Sequence, residues 1–347
     1  MRSQLVGDGL SREQSLLHWE RPSPTRSRSH KCRTTLERPI TADAVWPALP
    51  LAQWLDTCTT LHMWTQIVGK TRLALAPSEN HWWQVPLYVS PRGLTTSSIP
   101  FRDGAFVAEF DFLKHALVVR KSNGATRTLA LTPRSVADFY AEYMALLKEL
   151  DINVRMRPVP AEVEVAIPFP EDRTHASYDS AAVTRFFHIL LQVDRLLKRF
   201  RSRFLGKASP VHFFWGGFDM AQTRFNGRPA PRHPGGIPNT PDWVMYEAYS
   251  HECSSCGFWP GSGTILEPAF YAYGYPEPKG YSAHPVRPAP ARYDPQMRLL
   301  ILPYDAVRES ESPDEMVLDF FQSAYETAAD LGGWDRTALD RPRALWS

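Results

Sequence analysis

Residues 209–231 read S-P-V-H-F-F-W-G-G-F-D-M-A-Q-T-R-F-N-G-R-P-A-P. Strand-forming apolar residues here surround single polar ones, His212, Asp219, Gln222 and Arg224, each costly to bury without a partner. Such residues either satisfy one another or face a ligand. Residues 246–261, Y-E-A-Y-S-H-E-C-S-S-C-G-F-W-P-G, repeat the pattern around His251 and Glu252. Together the two stretches predict strands that give one pocket its polar lining.

Ahead of this region, Phe186, Phe187, Leu190, Val193, Leu196, Leu197 and Phe200 recur at helical spacing, which predicts a helix over 180–205 capped by Asp179 and Ser180. Its outer face is basic (Arg195, Lys198, Arg199, Arg201, Arg203), as suits solvent and the negative pole of the helix dipole. Beyond the region, strands are predicted over 243–252, 268–275 and 298–302, separated by proline- and glycine-rich loops at 229–241 and 276–290. A closing helix carries Val317, Asp319, Phe320 and Phe321.

The same order of elements is legible earlier in the chain. Residues 51–75 predict an amphipathic helix with His62 and Gln66 one turn apart on one face. Strands follow over 81–90, 94–99, 105–112, 116–121 and 126–131, the last two joined by Ser122-Asn123-Gly124, a strong hairpin signal. A helix over 135–150 is predicted to start from Thr132 before Pro133. The first and third helices end in Gly69-Lys70 and Gly206-Lys207, each ahead of a tryptophan-bearing strand, and Glu109 and Glu247 fall on strands that match in order. The closing helices share V-A-D-F-Y (136–140) and V-L-D-F-F (317–321). These matches predict an α+β protein of two similar halves, each helix, antiparallel meander, helix, related by internal duplication and packed as one unit. The division is a disordered leader (1–46), a first half (47–156), a Pro-rich connection (157–179), a second half holding the site (180–331) and a weakly ordered tail (332–347).

Composition limits the function classes. With 43% hydrophobic and 22% charged residues, the 347-residue chain can build a sizeable core, and a net charge of +2 supplies no field for nucleic acid. No apolar run approaches the ~20 residues that span a bilayer, the start has no signal-peptide core, and four cysteines do not form a disulfide framework. A cytoplasmic protein whose partner is a small molecule is expected, with neither nucleic acid nor membrane.

Five segments, H-M-W-T-Q-I-V-G-K (62–70), N-H-W-W (80–83), S-P-V-H-F-F-W-G-G-F-D (209–219), S-H-E (250–252) and G-F-W-P-G (257–261), carry a resemblance. In them the chain resembles an uncharacterised bacterial family, a domain of unknown function, over about residues 51–331. The resemblance implies a single unit and brings no activity, cofactor or catalytic residue.

Chemistry must therefore come from the residues. A mononuclear metal site built from His212, His251 and Asp219 or Glu252 is sensible, because imidazole and carboxylate ligands on neighbouring strands leave a position for water. Equally, these histidines can hydrogen-bond within an aromatic core. Cys253 and Cys256 form one C-x-x-C with no second pair, which argues against a zinc ribbon, and alternation would place them on opposite faces. Arg224 fits either an anion clamp or an ion pair with Asp219 or Glu247. No P-loop, dinucleotide fingerprint, nucleophile elbow or H-E-x-x-H is present, so the sequence specifies no cofactor. Two readings remain. One is a small-molecule enzyme using acid–base or metal-assisted chemistry on an anionic substrate, with His251, Glu252 and Asp219 catalytic. His212, Trp215, Arg224, Trp259, Tyr273, His62 and His81 then bind the ligand. The other is a non-catalytic module that binds a small ligand on the same wall.

Overall fold

A computed structural model describes residues 45–262 and 266–346. The leader expected over 1–46 lies outside these residues except for Val45 and Trp46. Trp46 is buried against Phe270 and Tyr304, so order begins ahead of residue 50.

The first half opens with α1 (Leu55–Leu75), followed by β1 (Tyr88–Ser90), β2 (Gly93–Thr95), β3 (Ile99–Phe101), β4 (Gly104–Asp111), β5 (Ala116–Lys121), β6 (Thr126–Ala130) and α2 (Val136–Glu149). The β5–β6 hairpin forms around Asn123-Gly124, with Gly124 in the left-handed region the turn needs. Ser135, rather than Thr132, caps α2: its hydroxyl accepts from the Asp138 amide at 3.1 Å and donates to the Asp138 carboxylate at 2.7 Å. The sheet runs β1-β2-β4-β5-β6, with β3 paired to β4 off this path.

The expected amphipathic character of α1 is not observed. From Met63 to Arg72 every residue is buried, because the helix runs through the interior with protein on all sides. Gly69 stands mid-helix where glycine is normally unfavourable; a Cβ there would lie 2.2 Å from the Trp215 ring, so the helix makes room for that indole.

The second half has α3 (Ser180–Arg201), β7 (His212–Phe214), β8 (Asp219–Pro229), α4 (Asp242–Ala248), β9 (His251–Trp259), β10 (Ala269–Tyr275), β11 (Arg292–Asp294), β12 (Leu299–Pro303), α5 (Tyr304–Arg308), α6 (Pro313–Leu331) and α7 (Arg336–Leu339). Asp179 caps α3 by accepting from the amides of Ala181 and Ala182. This antiparallel sheet is ordered β11-β12-β10-β9-β8-β7, with α3 and α6 covering one face through Phe200, Phe270 and Phe321. Leu87 and Phe213 exchange both backbone hydrogen bonds at 2.9 Å and join the two sheets' segments.

The fold is α+β, as the patterning implies, but the internal duplication is not confirmed. Each half is helix, six antiparallel strands, helix, yet the strand orders differ: β3 leaves the first path, while β11 lies outside β12 in the second. Two supposed correspondences also fail. Residues 80–83 form a turn in which His81 and Trp82 have positive φ, not a strand. Glu247 lies on α4, where Asp242 in the first turn and helix-forming Met245, Glu247 and Ala248 overcome the strand-like Trp243 and Val244. The tail, expected to be weakly ordered, is docked. Tyr325 donates to Asp340, the Leu205 amide donates to Leu339 O, and the Arg203 guanidinium lies over Trp346.

Candidate active site

Alternation along the second sheet sorts its side chains. Arg224 and Cys256 face the helices, whereas Asp219, Thr223, Cys253, Ser255, Tyr271 and Tyr273 face the opposite side. On that open side lie two adjoining chambers of about 280 and 370 Å³. Asp219, Tyr271 and Glu162 border both.

Glu162 arrives from the connection between the halves, and its backbone is fixed from two directions. Gln66 on α1 holds the preceding residue, its amide nitrogen donating to Ala161 O at 2.9 Å and its oxygen accepting from the Ala161 amide at 2.8 Å. The Glu162 amide itself donates to Pro238 O at 2.8 Å. Between these anchors Glu162 has φ 60°, a left-handed conformation that costs a non-glycine residue about 1–3 kcal/mol and tends to cluster at functional sites.

The floor beneath the carboxyl is the β7–β8 turn. A Cβ on Gly216 would stand 2.1 Å from Glu162 Oε1, and one on Gly217 would stand 2.8 Å from Asp219 Oδ1 and 3.6 Å from Glu162 Oε2. The carboxyl ends of Glu162 and Asp219 thus occupy the space a side chain at these two positions would fill, and the two carboxyl groups converge on one point above the turn. His62 sits beneath, stacked on Phe218, with Nε2 2.9 Å from Gly216 O and 3.0 Å from the Gln66 amide nitrogen. Burial pushes His62 down to about 4 despite its bond to Gly216 O, so it is neutral and positions the turn.

Neither Glu162 nor Asp219 has an ion-pair partner among the described residues. The Tyr271 hydroxyl donates to Asp219 Oδ2. The Glu162 side chain is exposed toward the chambers, and partial loss of hydration, then the neighbouring Asp219 charge, pushes its carboxyl up. Burial likewise raises Asp219 to about 6, with the Tyr271 hydrogen bond working against the rise. Both carboxyls are thus raised, as expected of two acids that share a cavity with no cation between them.

The residues expected from sequence separate into groups. Asp219, Trp259 and His62 border the first chamber, and Tyr273 and His81 the second, where the Tyr273 and Tyr249 hydroxyls lie 2.7 Å apart. His81 stacks on Phe225 at 4.5 Å, with Nδ1 3.1 Å from Ala248 O, and lies 5.7 Å edge-on from His251. Trp215 donates from Nε1 to Val85 O at 2.7 Å and is mostly buried beside Gly69. His251 contacts Ser250 Oγ through Nδ1 at 3.0 Å and borders neither chamber.

Three others are drawn away. Arg224 is neither an anion clamp nor a partner of Asp219 or Glu247. Its guanidinium is enclosed by Phe200 at 3.5 Å and Tyr325 at 4.3 Å, donates to Phe200 O, and is pushed down to about 10 by burial. Glu252 accepts from Asn226 at 2.6 Å and from Arg228 at 2.6 Å, and Arg228 in turn donates to Gly332 O, a clamp between β8, β9 and the end of α6. His212 is fully buried among Trp83, Tyr88 and Phe214, and both its ring nitrogens are without a partner among the described residues. Among the described residues no three His, Cys, Asp or Glu side chains are grouped to hold a metal. Cys253 and Cys256 lie on opposite faces of β9 as free buried thiols, and burial pushes both up to about 12.

Sequence reasoning missed Glu162, the Gly216-Gly217 floor and the hydrogen bond to Asp219 from Tyr271, a residue it offers only as one of many aromatics able to stack on a ligand. Glu162 lies in P-V-P-A-E-V-E, which has no periodicity to assign it a direction. Tyr271 was available from parity, since Ala269, Tyr271 and Tyr273 share one face of β10.

The fold and site define an α+β protein with two carboxyl groups brought together over a glycine turn inside an aromatic cleft. The chain belongs to a family of unknown function, DUF5996, whose model matches residues 46–341. No curated protein and no solved structure matches it.

Proposed function

We propose that this protein is a small-molecule enzyme that carries out acid–base chemistry at the Glu162–Asp219 pair. Glu162 serves as the proton donor, Asp219 as the base, and Tyr271 holds Asp219 in place. The observation that carries this reading is the convergence of two unpaired carboxyl groups from distant segments on one point above Gly217. A structural pair of acids would be neutralised by a cation; this pair instead faces chambers large enough for a small substrate. Trp259, Tyr273, His62 and His81 supply the walls. The reading moves the catalytic centre from His251 and Glu252, whose partners are structural, to Asp219 and Glu162. Buried free thiols at Cys58, Cys253 and Cys256 fit a reducing compartment such as the cytoplasm.

Incubating the protein with a metabolite extract and following consumption by mass spectrometry tests the proposal. Wild type is expected to consume at least one compound that Asp219→Asn and Glu162→Gln leave untouched. Its rate is expected to fall below about pH 6 as Asp219 is protonated, and above about pH 7 as Glu162 loses its proton. Turnover unchanged in both variants refutes the assignment. Binding without turnover in wild type favours the non-catalytic module.

A further inference from the structure

Glu162 also borders a third chamber, of about 260 Å³, whose lining includes Lys70, Arg157, Trp82, Trp215 and Trp243. Lys70 projects from the interior helix α1 and is only 7% exposed, yet its ammonium has neither a hydrogen bond nor an ion pair among the described residues. Its one recorded contact is the Trp215 ring, with the centroid 5.5 Å away. Arg157, exposed on the connection, likewise has no carboxylate partner among the described residues, and burial followed by the Arg157 charge pushes Lys70 down to about 8. Two unpaired cations facing one cavity repel each other, and a buried uncompensated charge is strongly destabilising. An anion between them removes both penalties.

The same chamber offers an apolar surface. Trp243 is 57% exposed on the short helix α4 and leans against Trp82 with ring centroids 5.1 Å apart, an unusual amount of free aromatic area beside two cations.

We propose that this chamber is a binding site for the oxyanion group, carboxylate or phosphate, of a small organic ligand with a flat apolar body. Lys70 and Arg157 hold the anion, and Trp82 with Trp243 covers the body. Because Glu162 is shared with the other chambers, the ligand reaches from the cations to the carboxyl pair; only its identification as the substrate rests on the proposed acid–base function. This role replaces the one the sequence suggested for Arg224.

Calorimetric titration of the full chain with phenyl phosphate, benzoate and neutral benzyl alcohol tests the site. At least one anion is expected to bind and benzyl alcohol at least tenfold more weakly, the better anion distinguishing phosphate from carboxylate. Arg157→Gln, at an exposed position, is expected to weaken anion binding by tenfold or more, and Lys70→Met to do the same with the far-ultraviolet circular dichroism unchanged. Protection of Lys70 from reductive methylation by the bound anion provides a readout that does not depend on folding of the Lys70 variant. Anion binding that survives Asp219→Asn while turnover is lost separates this site from the catalytic reading. Equal affinity for the alcohol, undiminished binding in Arg157→Gln, or neither anion binding nor protecting Lys70 overturns the proposal.

Discussion

Replacing Asp219 with asparagine removes a carboxylate that the fold holds under unfavourable conditions, so the variant is expected to be more stable than wild type in a pH-dependent way. The carboxyl is raised from 3.8 to about 6, chiefly by burial. Only well below 3.8 is it neutral in the folded and unfolded chain alike, and near pH 4 the substitution still changes little. Between 3.8 and about 6 the unfolded chain ionises while the folded chain keeps its proton, so the wild-type fold loses stability as pH rises, and above about 6 the loss is constant. That interval of roughly two pH units, at about 1.36 kcal/mol each, sets an upper bound near 3 kcal/mol. Water entering the chambers reduces the expected gain to about 1–2 kcal/mol. Tyr271 can still donate to the asparagine oxygen, so no donor is stranded. Urea unfolding followed by tryptophan fluorescence at pH 4, 6 and 8 measures the difference. A gain that grows from pH 4 to pH 6 and then levels, alongside lost turnover, is the expected outcome. A gain equal at all three values, or a loss at pH 8, refutes the account of Asp219 as a destabilised functional carboxylate.

Other substitutions probe the remaining features. Gly216→Ala places a methyl group against the flexible end of Glu162 and is expected to swing that carboxyl aside, abolishing turnover at a cost below about 1 kcal/mol in urea unfolding; unchanged turnover would show that the floor does not position the carboxyl. Arg224→Met replaces a buried cation whose Nε and Nη1 lack partners, and is expected to be within about 1 kcal/mol of wild type or more stable, with ligand affinity unchanged; a fall in affinity would return Arg224 to the site. Deleting residues 334–347 removes Trp334, Asp340 and Trp346 from Tyr325 and Arg203 and is expected to lower the thermal midpoint measurably; an unchanged midpoint would show that the docking contributes nothing.

Much of the scaffold was legible because it rests on periodicity. The β5–β6 hairpin, α2, α3 and α6 follow from apolar spacing and from Asn123-Gly124, and the one-turn separation of His62 and Gln66 is realised as a direct contact. Aromatic-rich segments misled, since Trp82, Trp83, Trp243 and Tyr246 have strand propensity but are placed on a turn and a short helix by their tertiary neighbours. The site was half legible. Strand alternation supplied Asp219, Tyr273 and Trp259, and the same parity separates Asp219 from Arg224, five positions along β8, on opposite faces. Glu162 left no such trace, because its direction comes from a left-handed backbone fixed by Gln66 and Pro238, neither of them close to it in sequence.

That anchoring has a consequence for how the molecule comes to work at all. Glu162 belongs to neither half: it rides on the strip of chain between them, tied on one side to a helix of the first and on the other to a loop of the second. Either half made by itself lacks one of the two ties. Under the proposed chemistry turnover requires both, so activity doubles as a reporter of complete assembly.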